Sequence, residues 1–244
     1  MKKGILIAAM ALAALGAQAQ SDNGTVTSVP ISSDFTYGVT LGVGGMWPTG
    51  DLSDNFKGSA IFEGNLLFGY DDFRLKTGFQ YGQPSVKNSN IFDAHDAAGH
   101  PTEGNAHADP TFWCWNLQLG YKVYQGHRLS VTPNVGVAYT RYNWDIDKLE
   151  WSKNDQDEDQ YTVTGTRKAH LGHWGVMASV DFDVRLHTTI TDTPFLGSGY
   201  KRFVSAIRVT PWVAYAKYKS APEAKGCLVG FTVSYAGLLQ SITR

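Results

Sequence analysis

Between Phe35 and Gly237 the chain repeatedly sets bulky apolar residues against small or polar ones with a period of two, as expected of extended strands whose side chains point alternately to two faces. Eight segments carry the pattern. FTYGVTLGVGGMW (35–47) places Phe35, Tyr37, Val39, Leu41, Val43 and Trp47 on one face and Thr36, Gly38, Thr40, Gly42 and Gly44 on the other. AIFEGNLLFGY (60–70) groups Phe62, Leu66, Phe68 and Tyr70 against Glu63 and Asn65, and FRLKTGFQYG (73–82) groups Phe73, Leu75, Phe79 and Tyr81 against Arg74, Lys76 and Gln80. FWCWNLQLGYKVY (112–124) follows, with Trp113, Trp115, Leu117 and Leu119 opposite Asn116, Gln118 and Lys122. The remaining four are LSVTPNVGVAY (129–139), a segment from about His173 through VDFDVRLH (180–187), RFVSAIRVTPWVAYAKY (202–218) and CLVGFTVSYAG (227–237). No stretch of comparable length shows helical periodicity.

The pattern leaves open which face is inside. In VDFDVRLH, Val180, Phe182, Val184 and Leu186 oppose Asp181, Asp183, Arg185 and His187. A soluble sheet buries the apolar set, whereas a barrel that spans a bilayer turns it to lipid and encloses the charges. Three observations favour the barrel. The connections largely alternate between short and long, with turns at Asp71-Asp72 and QGHR and loops at PTGDLSDNFKG, 82–111 and roughly 142–170, as expected of periplasmic turns and extracellular loops. Aromatic residues such as Trp47, Tyr70, Phe73, Tyr81, Trp113, Trp115, Tyr139, Trp174, Tyr215 and Tyr235 sit near segment ends, where interfacial girdles lie. The polar face is rich in Gly, Ser, Thr, Ala and Asn, which a narrow lumen requires. Two features run against it: the loop 188–201 is long for a periplasmic turn, and VTPNV (131–135) and VTPWV (209–213) place proline inside strands, which predicts bulges near the periplasmic rim.

Residues 1–19 read as a secretory signal peptide: Lys2 and Lys3, then a short apolar run, then Ala17-Gln18-Ala19 as the cleavage site. Removing them takes two lysines and no acid, so the formal charge moves from -1 to -3 (19 basic against 22 acidic residues), and no basic excess points to nucleic acid. Residues 20–33 read as a flexible leader and 34–244 as the barrel domain. No later segment is apolar enough to cross a bilayer as a helix, so only a closed barrel could span one. Cys114 and Cys227 fall in strands too far apart to bridge and are read as unpaired packing residues.

On these cues the chain resembles the small outer-membrane β-barrel proteins of the OmpA-transmembrane-domain and OmpX type. The resemblance covers roughly 34–237 and rests on the leader, the eight alternating segments, the GVTLGVGGMWPTGDLSDNFKG opening and the glycine-aromatic segment endings. It implies an all-β fold, a single closed antiparallel transmembrane barrel of eight strands, or of ten if YTVTGTRKAH (161–170) forms an added hairpin. It implies outer-membrane localisation, contact with outer-membrane lipid and lipopolysaccharide, an unidentified extracellular ligand and a monomeric state. The chain departs from the pattern by running past Tyr235 into LLQSITR instead of ending on an aromatic residue.

Chemistry is sparse. Glu63, Arg74, Lys76, Lys122, Asp181, Asp183, Arg185 and Arg208 fall on the inward face and are read as a paired network that plugs the lumen, with a narrow solute or ion path as the alternative. His95, His100 and His107, among Asp93, Asp96, Glu103 and Asp109, are metal-ligand types, but their spacing matches no metal motif. The acidic run NDQDEDQ (154–160) lacks the carboxylate order of a calcium loop. His170 and His173, with Ser179, lie where a lipid A-modifying or proteolytic barrel would need its base, but no hydrolase signature surrounds them, so no catalytic residue and no cofactor is assigned. A soluble exported barrel that holds a ligand is the remaining alternative.

Overall fold

A computed structural model describes residues 35–87, 95–105, 110–154, 156, 158–191, 199–218 and 224–243. The signal peptide and leader read at 1–33 lie outside these residues, as does His107. The strands are β1 (Phe35–Pro48), β2 (Ser59–Tyr70), β3 (Phe73–Gly82), β4 (Glu103–Asn105), β5 (Thr111–Tyr121), β6 (Tyr124–Gln125), β7 (Leu129–Lys153), β8 (Asp159–Thr191), β9 (Gly199–Lys217) and β10 (Lys225–Thr243), with one helical turn, α1 (Leu52–Asn55). All pairings are antiparallel. β4 and β6 are short additions to β7, and the other eight strands form a closed ring in the order β1-β2-β3-β5-β7-β8-β9-β10, with β10 returning to β1.

The register gives the stagger of that ring. Stepping across paired residues from Phe182 through Val209, Val233, Val43, Phe62, Tyr81, Trp113 and Arg141 returns to β8 at Gly172, ten residues from the start (182 to 172). Eight strands with that stagger tilt by roughly 40° and leave an interior wide enough only for packed side chains. Gly136 and Gly175 mark where strands crowd: a Cβ at Gly175 would strike the carbonyl oxygen of Tyr215, and one at Gly136 that of Leu117.

The faces fall as parity predicts. Phe35, Val39, Leu41, Val43, Leu66, Phe73, Leu119, Val135 and Phe182 are exposed outward, while Thr40, Glu63, Asn65, Lys76, Gln118, Asp181 and Asp183 are buried. Aromatic clusters bound this apolar band at both ends. Phe35 meets Tyr70 at 5.0 Å and Phe73 meets Tyr121 at 5.2 Å near one rim; Tyr139 meets Trp174 at 5.2 Å and Trp115 meets Trp174 at 5.8 Å near the other. An exposed apolar belt enclosing buried charge is the reverse of a soluble protein and fits a barrel immersed in lipid.

Beyond the second girdle the parity continues but its chemistry inverts. On β7, Tyr142, Trp144 and Ile146 are buried inward while Asp145 is exposed outward; on β8, Ala169 and Leu171 are buried while Lys168 and His170 are exposed. The outer environment changes there from hydrocarbon to water, so the outward face becomes polar and the inward face supplies an ordinary apolar core. Residues 142–170 are therefore not the loop that their polarity suggests. β7 and β8 run on past the ring as one hairpin, closed at 154–158, whose eleven β7 residues from 143 to 153 extend roughly 35 Å at ~3.3 Å per residue. YTVTGTRKAH is the upper part of β8 and adds no strand to the ring, so the count is eight and not ten.

Three further expectations are corrected. β8 continues to Thr191 and β9 starts at Gly199, which shortens the connection expected at 188–201 to 192–198. β10 runs to Thr243, so LLQSIT (238–243) is strand, paired with β9 throughout and with β1 as far as Ser241. Neither proline makes a bulge. Pro133 lies one residue beyond the last β5–β7 pair, Gly120 with Asn134, and Pro211 sits where the β8–β9 ladder is interrupted between the pairs Ser179–Trp212 and Phe182–Val209 without a change of register. Each falls where the ladder lacks a pair, so the absent N–H leaves no partner stranded. The register shifts lie instead at Lys148/Leu149 and Arg185/His187.

Candidate functional site

The interior divides into a charged middle and an apolar outer end. In the middle, Arg208 of β9 donates to Asp183 of β8 through Nε (2.6 Å) and Nη2 (3.0 Å), and its Nη1 lies 3.4 Å from Asp181 Oδ2. Lys76 of β3 reaches across the lumen to Asp181 Oδ1 at 2.9 Å and donates to Ser179 Oγ at 3.0 Å. Arg74 Nη1 stands 3.5 Å from Asp183 Oδ2, Thr210 donates to Asp181 at 2.9 Å, and Ser130 donates to Asp183 at 3.3 Å. Glu63 is held differently: Asn65 (2.9 Å), Gln80 (2.9 Å) and Thr232 (3.0 Å), all neutral donors, supply its hydrogen bonds. Three cations, Arg74, Lys76 and Arg208, thus accompany three carboxylates, Glu63, Asp181 and Asp183, and formal charge balances within this cluster. Confined charges are tolerable only in such a set, because desolvation of each is offset by an opposite charge and by hydrogen bonds.

Two of the eight inward charges expected from the sequence lie apart from this cluster. Lys122 is buried but turns to the β2–β3 turn, 3.5 Å from the half-exposed Asp72. Arg185 is half-buried at the rim and donates to the carbonyl of His127 at 3.3 Å, because β8 shifts register immediately after it. One buried cation went unpredicted: Arg202, whose Nε donates to Gln240 at 2.7 Å. Its signal was available, since 202 shares the inward parity of 208.

The outer end of the lumen was not legible as apolar. Met46, Leu52, Phe56, Phe112, Tyr142 and Leu228 are each at most 1% exposed, among a cluster that also takes in Trp144, Leu171 and Trp212. α1 and Phe56, from the β1–β2 connection, fold into the mouth. Phe56 stacks on Tyr142 with centroids 4.2 Å apart and planes at 15°, and Phe112 lies 5.0 Å from Tyr142. Thr140 and Tyr218 share a hydrogen bond of 2.9 Å beneath them.

The projecting hairpin carries the connection after β3 on its flank. β4 pairs Glu103–Asn105 with Ile146–Lys148, and Leu149 donates to the carbonyl of Thr102 at 2.9 Å. Arg167 grips Glu103 through two hydrogen bonds of 2.6 Å, and this partnership holds the Arg167 guanidinium above its ordinary pKa. Trp151 donates to the carbonyl of Pro101 at 2.6 Å and stacks on His100 at 5.0 Å. Asp96 accepts from the backbone N–H of Ala98 (2.8 Å) and of His100 (2.9 Å), which lowers its carboxyl pKa, the His100 N–H first. At the tip Asn154 Oδ1 caps the turn by accepting from Gln156 and Glu158, both at 2.9 Å.

The sequence-predicted ligand and catalytic groups are dispersed. His95 and His100 occur on this flank, with His100 Nδ1 at 3.2 Å from Asp96, and among the described residues no three His, Cys, Asp or Glu side chains come together as a metal site. His170 points outward; His173 lies edge-on to Tyr218 at 6.2 Å; Ser179 is buried in the lumen, where it donates to Gln118 at 2.7 Å. Neither histidine is brought to the serine. Cys114 and Cys227 are unpaired.

No protein-family model matches the sequence, and no curated protein matches it. Among solved structures, the chain is similar to Ail, the attachment invasion locus protein of Yersinia pestis, at 11% identity and a TM-score of 0.42, over 84% of this chain and 99% of that one. It is similar to the outer membrane protease OmpT of Escherichia coli at 9% identity and a TM-score of 0.34 (91% and 100%), and to the N-terminal β-barrel domain of Pseudomonas aeruginosa OprF at 10% and 0.31 (84% and 98%). With its closed stagger, its lipid-facing apolar band between aromatic girdles and its charges enclosed, it is an eight-stranded outer-membrane β-barrel.

Proposed function

We propose that the barrel is a closed anchor that presents the β7–β8 hairpin, with its docked flank, as a binding surface outside the cell, and that it neither conducts solutes nor catalyses a reaction. The observation that carries this reading is the joining of a stopped lumen to a braced projection. Apolar side chains fill the outer mouth around Phe56 and Tyr142, while Arg167–Glu103 and Trp151–Pro101 fix the flank to the hairpin. A fixed surface favours binding because less ordering entropy is lost on association.

The test is to replace residues 147–165 by a short turn and display both proteins on cells. Both forms should shift mobility on boiling before electrophoresis, as folded barrels do, and only the intact form should retain soluble extracellular ligands such as sulfated polysaccharide or matrix protein. Stepwise conductance of the intact protein in planar bilayers, or turnover of lipid A or of a peptide library, would overturn it.

A further inference from the structure

The charge of the lumen is balanced at its centre and unbalanced at one end. At the mouth bounded by the β2–β3 and β6–β7 turns, four cations come within electrostatic reach of one another: Arg185 acts on Arg74, Lys122 and Arg202, and Arg74 acts on Lys122. Arg74 of β3 and Arg202 of β9 stand four strands apart in the ring of eight, on opposite walls, with Lys122 beside the first and Arg185 of β8 beside the second. Arg74, Lys122 and Arg202 are buried and Arg185 is half-buried. Arg185 Nη1 donates to the carbonyl of His127 and Arg202 Nε to Gln240, neutral acceptors that orient each guanidinium without neutralising it. Beyond the balanced central cluster, the described residues thus set Lys122, Arg185 and Arg202 against Asp72, a formal excess of +2 (three against one). Arg128 and Lys201 at the rim, against Asp71, add to that excess.

We infer that this mouth binds a phosphate dianion, either free or as the terminal group of a small phosphomonoester. Cations enclosed together repel one another until a counter-charge joins them, and two negative charges match the excess of +2. Guanidinium forks from facing walls, Arg74 and Arg185, offer N–H donors to a tetrahedral oxyanion from two sides, and Lys122 adds a point charge. A donor is at hand: Arg74 Nη1 is buried and makes no hydrogen bond, although it stands 3.5 Å from Asp183. The low-dielectric wall around the mouth focuses the field of the cations on its opening. Deeper in the lumen the two-point Arg208–Asp183 pair fills the interior, so the anion is held at the mouth and not passed on. Short turns of outer-membrane barrels face the periplasm, which makes that compartment the source of the ligand. The inference is independent of what the hairpin binds at the other end.

The experiment is isothermal titration of the purified full-length mature protein, in uncharged detergent and phosphate-free buffer at fixed ionic strength, with inorganic phosphate, glycerol phosphate, citrate and chloride. The unmodified protein should bind one of the two phosphates saturably at one per chain, and bind citrate and chloride more weakly; the tighter of the two phosphates identifies the source. Arg185→Gln should weaken phosphate binding about tenfold, the loss expected for one charge-assisted donor. Lys225→Gln makes the same change of charge at the opposite mouth, where Lys225 is exposed beside Asp51, and should leave the affinity unchanged. Boiling-dependent mobility shows that each variant is folded. On the unmodified protein alone, phosphate binding no tighter than chloride, or citrate binding as tightly as phosphate, would overturn the inference. So would an affinity that Arg185→Gln leaves intact, or that Lys225→Gln lowers equally, since either would mean that net charge and not this mouth attracts the anion.

Discussion

Arg208 and Asp183 form a two-point ion pair between neighbouring strands, 2.6 and 3.0 Å long, with both side chains at most 2% exposed. Its partners make it more than a pair. Asp183 also receives Arg74 and Ser130, and Arg208 also faces Asp181, which Lys76 holds from the opposite wall. Removing the guanidinium would leave two enclosed carboxylates under-neutralised.

Arg208→Met should therefore lower barrel stability by about 3–5 kcal/mol, the usual cost of stranding a buried charge. The check is the temperature at which the heat-shifted band converts to unfolded mobility. Arg208→Met combined with Asp183→Leu should recover part of the loss, because the stranded charge is then gone. A single variant as stable as the parent would mean that water reaches the lumen and solvates the network.

The outer mouth makes a separate prediction. Phe56→Ala removes a ring that stacks on Tyr142 at 4.2 Å and should destabilise by about 3–5 kcal/mol, as large-to-small changes in cores do. Because Phe56 belongs to the β1–β2 connection and not to the wall, the ring of strands should persist. Planar bilayers should stay silent, as with the parent, because the Arg208, Asp183, Asp181 and Lys76 network still fills the lumen beneath.

Gly175 tests the closure of the wall. A branched side chain there meets the carbonyl oxygen of Tyr215, a backbone atom that cannot swing aside, so Gly175→Val should reduce the yield of heat-modifiable barrel on refolding. Gly165→Val, where a Cβ meets nothing within 4 Å, is the matched control and should refold like the parent.

The turn at 96–100 should respond to acid. Asp96 has its carboxyl pKa lowered from the ordinary 3.8 by the N–H groups of His100 and Ala98. A depressed folded pKa means that the turn's stabilisation is fully present above 3.8 and is lost as pH falls through the lower folded value. Hydrogen exchange of the Ala98 and His100 amides should be as well protected at pH 5 as at pH 7 once the intrinsic rate is corrected, and should lose protection below pH 3.8. Asp96→Asn should remove the pH dependence while the barrel band is unaffected.

What the sequence determined by itself is the parity of the wall. Side chains alternate strictly, so VDFDVRLH sets Phe182 opposite Asp181 and Asp183; that Phe182 lies outward and the two aspartates inward followed only with the alternation of short and long connections, the aromatic segment ends and the small residues of the polar face. The ring of eight followed from counting such segments. Tertiary structure alone decided where β7 and β8 end, because above the girdle water replaces hydrocarbon and the alternation changes sign. Arg141, Asn143, Lys168 and His170 then look like loop residues although they are strand. It alone decided that Lys76 meets Asp181 across 105 residues of chain, that Glu63 is satisfied by neutral donors, and that Phe56 closes the mouth against Tyr142. Those contacts depend on the stagger at which the ring closes, a property of all eight strands together that no single segment encodes.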